Sequence, residues 1–261
     1  MLFSPLCSGS SGNATFIEAG GLRILIDAGV SAKRLSALLC AIDIAPQTID
    51  AILVTHEHTD HVSGIPVFSR RYMIPVYANS ECFAAMREKN VTVSPANMRV
   101  IDPDCGFYIK NVEILPYSTP HDSARAMGYC VSAGGAKCTV MTDVGCVTNV
   151  MEEAAAGSDI LLLEANHDVD MLKCGSYPIS LKRRILSKTG HLSNEDAGNA
   201  LVKFFGRGVR NAVLGHLSNE NNTPELALVT VNSVLEENGV LDAMHVTVAK
   251  RDEPTGVYEI G

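Results

Sequence analysis

Seven consecutive residues, Thr55-His56-Glu57-His58-Thr59-Asp60-His61, follow directly on the apolar run Ala51-Ile52-Leu53-Val54. Three imidazoles and the Asp60 carboxylate therefore leave the end of one buried strand together. Packing gives no reason for this, because His and Asp are poor strand residues and burying polar groups without partners costs free energy. A divalent cation is the natural partner, since neutral imidazole nitrogens and carboxylate oxygens are preferred ligands of zinc and manganese. His56 and His58 alternate by two and can face one way from an extended segment. Asp60 and His61 come after the chain turns towards a helix and can face a second cation.

The remaining acids and imidazoles repeat this placement. Asp27 ends the run Leu22–Ile26, His121 follows Leu115–Pro120, and Asp143 ends Thr139–Thr142. His167 comes just after Ile160–Ala165, and His216 follows Ala212–Gly215. In layered α/β folds the C-terminal strand ends share one rim, where ligands and metals bind. Of the eight histidines only His245 lies outside this pattern, and an ordinary structural role is expected for it. The spacing predicts one cation held by His56, His58 and His121, and a second held by Asp60, His61 and His216. Asp143 would bridge them, with open positions left for a shared water, as catalysis requires. Zinc, manganese and iron all suit such a His-plus-Asp set.

The elements that must position these groups alternate from end to end. Strands are predicted at Ala14–Ala19, Leu22–Asp27, Ala51–Thr55, Val112–Tyr117, Gly128–Ala133, Lys137–Thr142, Ile160–Glu164, Asn211–Leu214 and His245–Val248. Helices are predicted at Ser31–Ile42, Val62–Tyr72, Ser80–Lys89, Val147–Ala156, Ile179–Ser187, Asn194–Phe205 and Pro224–Asn238. Hairpins and βα units are mixed, so an α/β fold with both parallel and antiparallel pairs and outer helices is expected. No linker, charge block or repeat divides the 261 residues, which are expected to form a single domain, 1–261.

Composition excludes several classes. Apolar residues make up 46% and charged ones 19%, with no apolar run near the roughly 20 residues that span a bilayer. Residues Met1–Cys7 lack a basic start and a long apolar stretch, so no signal peptide is read and a cytoplasmic location is expected. Eight cysteines without a CxxC pair fit buried, reduced thiols, although Cys146 lies near Asp143. The net charge of −8 disfavours broad attraction to nucleic acid, but bound cations would cancel part of it at the site itself.

With Asp27, the HxHxDH run His56–His61, His121 before Gly128-Tyr129, Thr142-Asp143 and Leu214-Gly215-His216 in order, the chain resembles the metallo-β-lactamase fold superfamily. That resemblance implies a four-layer αβ/βα sandwich of two mixed β-sheets flanked by helices. Within it, the Asp60-His61 pair resembles that of hydrolases of thioesters and phosphodiesters, and His191, in Gly190-His191-Leu192-Ser193-Asn194, is similar to a His of the phosphodiesterase branch typified by tRNA 3′ processing nucleases. The chain departs from those in lacking a long insertion between Asp143 and His191, and it has no room for the extra domain of β-CASP nucleases. Residues Cys7–Asn13, Glu164–Asp168 and the paired Gly190–Asn194 and Gly215–Asn222 are similar to the compact bacterial YycJ/WalJ family. This implies a 5′-to-3′ exonuclease acting on duplex DNA.

A two-cation phosphodiesterase with a metal-bridging hydroxide is the leading reading, with Asp60, Asp143 and His191 as catalytic residues. Asp27 is expected to hydrogen-bond a ligand imidazole and fix its tautomer. His191 would contact the phosphate and protonate the leaving oxygen, or else be a solvated helix-start residue. His167 is either a rim contact or a structural one. Ser10, Ser11 and Asn13 offer phosphate contact or close packing beneath the metals. Lys182, Arg183 and Arg184 offer a groove for a polyanion or a solvated helix face. A small-molecule hydrolase of cyclic phosphodiesters or thioesters is the alternative, and a metal-binding scaffold without hydrolysis is a third.

Overall fold

The computed structural model describes residues 1–261. In chain order the strands are β1 (Leu2–Cys7), β2 (Ala14–Ala19), β3 (Leu22–Ile26), β4 (Ala51–Leu53), β5 (Val76–Ala78), β6 (Met98–Val100) and β7 (Phe107–Ile109). They continue as β8 (Val112–Ser118), β9 (Met127–Ala133), β10 (Ala136–Met141), β11 (Ile160–Glu164), β12 (Asn211–Gly215), β13 (His245–Val248) and β14 (Tyr258–Glu259). The helices are α1 (Ala32–Cys40), α2 (Thr59–Val62), α3 (Ile65–Tyr72), α4 (Ser80–Glu88), α5 (Asn149–Ala155), α6 (Val169–Cys174), α7 (Ile179–Ile185), α8 (Asn194–Gly206) and α9 (Pro224–Glu237).

Alternation along the strands builds four layers. In β11, Leu161 and Leu163 pack outward among α5, α8 and α9, while Ile160 and Leu162 pack inward between the sheets. In the other half, Leu25 and Ile52 face α1, α3 and α4, whereas Ile24, Ile26 and Leu53 join the inter-sheet core. A strand buried on both faces reads as a continuous apolar run, which is why these runs carry little alternation. The sheets run β14-β1-β2-β3-β4-β5-β6 and β13-β12-β11-β10-β9-β8-β7. In each, antiparallel hairpins lead into parallel strands: β3 to β6 in one, β10 to β13 in the other. The C-terminal ends of β3, β4, β8, β10, β11 and β12 consequently open at the same end of the sandwich. The expected α/β fold of two mixed sheets flanked by helices is the fold observed.

Differences from the sequence reading have identifiable causes. β1 carries Pro5, which lacks an N–H, and its register against β2 shifts between Pro5 and Cys7, so no strand pattern is visible there. The strands β5, β6 and β7 are three residues each, too short to show a period. The helix expected over 62–72 is broken. Gly64 donates its N–H to Ala28 O, and a Cβ there would lie 2.1 Å from Val30 O, so α3 starts afresh behind it with Pro66 in its first turn. All eight cysteines are free, but Cys40, Cys105 and Cys174 are exposed rather than buried. No helix is long and apolar enough to cross a membrane.

Candidate metal centre

Three site residues just past the ends of β3, β10 and β12 adopt left-handed backbone: Asp27 (φ 62°), Asp143 (φ 58°) and His216 (φ 56°). That conformation costs an L-residue roughly 1–2 kcal/mol, and Asp and His accept it more readily than most. Each kink is held by hydrogen bonds. The Asp27 N–H donates to Leu53 O at 2.8 Å. The His216 N–H donates to Ser8 Oγ at 2.8 Å, and its carbonyl accepts from Asn166 Nδ2 at 2.9 Å. Beside Asp143, the Val144 N–H donates to Glu164 Oε2 at 2.8 Å. At about 1 kcal/mol each, and more where the acceptor is charged, these bonds offset the strain. Gly29 permits the closest approach, since a Cβ on it would lie 1.6 Å from the Asp60 carbonyl oxygen.

Asp143 lies at the centre of the converging imidazoles. Its Oδ1 is 3.5 Å from His121 Nε2, 3.7 Å from His216 Nε2 and 3.9 Å from His56 Nε2, and its Oδ2 is 3.1 Å from His61 Nε2. Asp60 Oδ2 is 3.5 Å from both His61 Nε2 and His216 Nε2, and His58 Nδ1 is 3.3 Å from His121 Nε2. Ligand atoms of His56, His58 and His121 lie within 4.8 Å of one another, as do those of Asp60, His61 and His216, and those of His56, His61 and Asp143.

The outward nitrogens are fixed. His61 Nδ1 is 2.7 Å from Asp27 Oδ2, His56 Nδ1 is 3.0 Å from Thr55 Oγ1, His121 Nδ1 is 3.1 Å from Gly190 O, and His216 Nδ1 is 2.7 Å from Glu164 Oε1. Thr55 Oγ–H in turn donates to Asp27 Oδ2 at 2.8 Å. An imidazole held at one nitrogen by an acceptor presents its other nitrogen, unprotonated, to a metal.

Two observations test whether a cation fits. His56 Nε2 and Asp143 Oδ2 are buried at the centre and make no hydrogen bond, a costly state that a cation would relieve. The protonation pattern is also conflicted. Burial, seconded by the charge on His61, pushes His56 well below the ordinary imidazole value. Burial opposes charge on His61 and His216 as well, yet Asp143, with Asp60 and other acids, raises both, His216 to about 10. Asp143 is itself held well below the carboxylate range against its burial, by His216, His61 and His56. The acids thus call for positive charge at this point, which a divalent cation would supply in place of protons. The residues present fit one.

Glu164, the last residue of β11, was not singled out from the sequence. It is fully buried, and its Oε1 accepts from both His191 Nδ1 and His216 Nδ1 at 2.7 Å. Oε2 accepts from the Val144 and Leu192 N–H groups at 2.8 and 3.3 Å. Despite burial, the charge and hydrogen bonds of His191 and His216 hold it down to about 2. The signal is that of Asp27, an acid closing an apolar run, although the same run also leads to His167 three residues on.

His167 is buried, does not line the cleft, and has no hydrogen-bond partner at either ring nitrogen. Burial, only partly opposed by Glu164, lowers it to about 4. A folded-state value below the unfolded one of about 6.5 means stability is lost as pH falls between 6.5 and 4. His167→Gln should therefore lose less stability than the parent between pH 7 and pH 5, read as the change in urea midpoint. An equal loss in both proteins would show that His167 titrates normally.

Over the cluster opens a cleft of about 330 Å³ lined by Ser10, His58, Thr59, Asp60, Lys89, Asp143, Arg184, His191 and His216, none of them apolar. The other expected contacts divide. Ser11 is exposed and outside the lining. Asn13 packs beneath, its N–H donating to Asp60 O at 2.8 Å and its Nδ2 to Gly9 O at 3.0 Å. Lys182 turns away and donates to Lys173 O and Gly175 O at 2.7 and 2.6 Å. Arg183 is exposed and also outside the lining. At 100° per residue along α7, three successive cations cannot share one face, and only Arg184 meets the cleft. Cys146 lines a separate pocket of about 180 Å³ with Leu192 and Asp196.

Residues 22–217 match the beta-lactamase superfamily domain. The chain is 37% identical over 237 residues to exodeoxyribonuclease WalJ of Streptococcus pneumoniae, covering 90% of this chain and 88% of that one. It is 37% identical over 237 residues to exodeoxyribonuclease YycJ of Bacillus anthracis, covering 91% and 90%. Among solved structures, the metallo-beta-lactamase fold protein YhfI of Bacillus subtilis aligns over 99% of this chain and 100% of its own, with a TM-score of 0.74 at 18% identity.

Proposed function

Because the chain belongs to the beta-lactamase superfamily, and over nearly its whole length resembles curated exodeoxyribonucleases, we propose that it is a metal-dependent phosphodiesterase acting as a 5′-to-3′ exonuclease on duplex DNA. The observation that carries this reading is the cleft over Asp143, whose lining is entirely polar or charged. A phosphodiester backbone suits such walls, whereas the acyl part of a thioester would find no apolar surface to bury.

In this reading His56, His58 and His121 would hold one cation, Asp60, His61 and His216 would hold a second, and Asp143 would be shared by the two groups. When bound, the cations supply a water nucleophile at neutral pH and offset charge building on the phosphoryl oxygens. Asp27 and Thr55 keep His61 and His56 in the ligating tautomer. His191 gives its Nδ1–H to Glu164 and so has its Nε2 free for the substrate. Against its burial, the Glu164 charge raises its proton affinity, which suits a group that delivers a proton to the leaving oxygen.

The test is hydrolysis, with manganese or zinc added, of 5′-labelled duplex DNA, bis(p-nitrophenyl) phosphate and a glutathione thioester side by side. His56→Ala serves as the blank. Mononucleotide release from the duplex, absent in the variant, is expected, with polarity given by the label. Turnover of the small diester or the thioester alone would move the assignment to small-molecule hydrolysis.

A further inference from the structure

Two cationic side chains enter the lining of the cleft, Lys89 just past the end of α4 and Arg184 on α7. Each is tethered by a carboxylate whose residue adjoins a cluster histidine in the chain. Glu57, between His56 and His58, lies 3.6 Å from Lys89 Nζ through Oε1, and its backbone oxygen is 3.5 Å from the same ammonium. The Glu57 carboxylate is buried and also accepts from the Ala124 N–H at 3.2 and 3.3 Å. Asp122, next to His121, takes Arg184 in a two-pronged ion pair, one prong being Nη2 to Oδ1 at 2.9 Å.

Arg184 is raised first by its bond to Asp122 and further by Asp143 and Asp60. The Arg184–Asp122 pair is largely open to solvent and adds little stability, so a phosphate can share or take over Arg184 at small cost. Glu57 is buried while the Lys89 ammonium is exposed, so a phosphate can share Lys89 while Glu57 keeps its contact. What the tethers do supply is register, since both cations hang from the segments that carry His56, His58 and His121.

We propose that Lys89 and Arg184 form a two-point anion clamp that grips the backbone phosphates flanking the scissile diester. The clamp makes a strand with several phosphates, and not an isolated diester, the favoured substrate, whatever its bases. This deepens the nuclease reading and rests on it for the identity of the strand.

Lys89→Gln and Arg184→Gln test it in metal-loaded protein, with metal content and melting midpoint measured as controls. Each should lower kcat/KM on duplex DNA about tenfold or more, as loss of a charge-assisted contact does. Each should also make the log–log salt dependence shallower by about 0.9, one phosphate contact. Turnover of bis(p-nitrophenyl) phosphate should fall several-fold less than turnover of DNA, since it presents a single diester. A 5′-phosphorylated thymidine dinucleotide, as competitor of that small diester, should bind about tenfold more weakly to each variant. Equal losses on DNA and small diester would overturn the clamp, as would no loss on either together with unchanged competition. If the parent protein ignores duplex DNA, the nuclease reading fails, and the competition measurement still decides the clamp by itself.

Discussion

Asp143→Ala is expected to remove turnover and to leave at most one cation bound per chain. Asp143 carries the charge on which five imidazoles converge, with its oxygens 3.1–3.9 Å from nitrogens of His56, His61, His121, His191 and His216. Without it the two ligand groups lose the carboxylate they share, and the remaining ligands, imidazoles apart from Asp60, would hold two cations weakly. Activity on bis(p-nitrophenyl) phosphate should fall by about 10⁴-fold or more, the scale on which metal-activated water accelerates hydrolysis. Metal content by atomic absorption should fall with it. Full occupancy with unaltered turnover would place the bridging role elsewhere.

Glu164→Gln should have the second-largest effect, because four donors converge on that carboxylate: two imidazole N–H and two backbone N–H groups. An amide of the same size offers one acceptor oxygen and turns its own NH₂ towards the rest, leaving buried donors unpaired at about 1–3 kcal/mol each. The melting midpoint should drop by roughly 5–10 °C. kcat should fall about 10²–10³-fold as His191 loses its anchor. The pH profile separates this from simple loosening. Glu164 raises His191, so its removal lowers that ring's proton affinity. A proton donor is active while protonated, and its activity disappears as pH rises through its pKa, so the alkaline limb should move to lower pH in the variant. A variant with the parent's alkaline limb would show that His191 does not deliver the proton.

Much of this was legible in the chain because strands buried on both faces announce themselves as apolar runs, and an acid or imidazole closing such a run is out of place in a core. Ile160–Glu164 and His245–Val248 are strands with the expected bounds, and Ser31 caps α1 through its side chain as its position suggests. The same logic groups His56, His58, Asp60, His61, His121, Asp143 and His216 by sequence alone. Glu164 closes an apolar run as Asp27 does, but His167 follows it so closely that the run points equally to the imidazole.

Other features belong to tertiary structure alone. Whether Lys182 or Arg184 meets the cleft depends on how α7 is rotated against its neighbours, and local pattern carries no information about that angle. The reach of Lys89 from α4, 32 residues beyond Glu57, depends on the layers closing over one another. Residue type and spacing thus determined which side chains could bind a cation, since ligand chemistry is a local property. Which nitrogen faces the cation, and which charges border it, was decided by folding, because Asp27, Thr55 and Glu164 reach their imidazoles only when separate strands end on one rim.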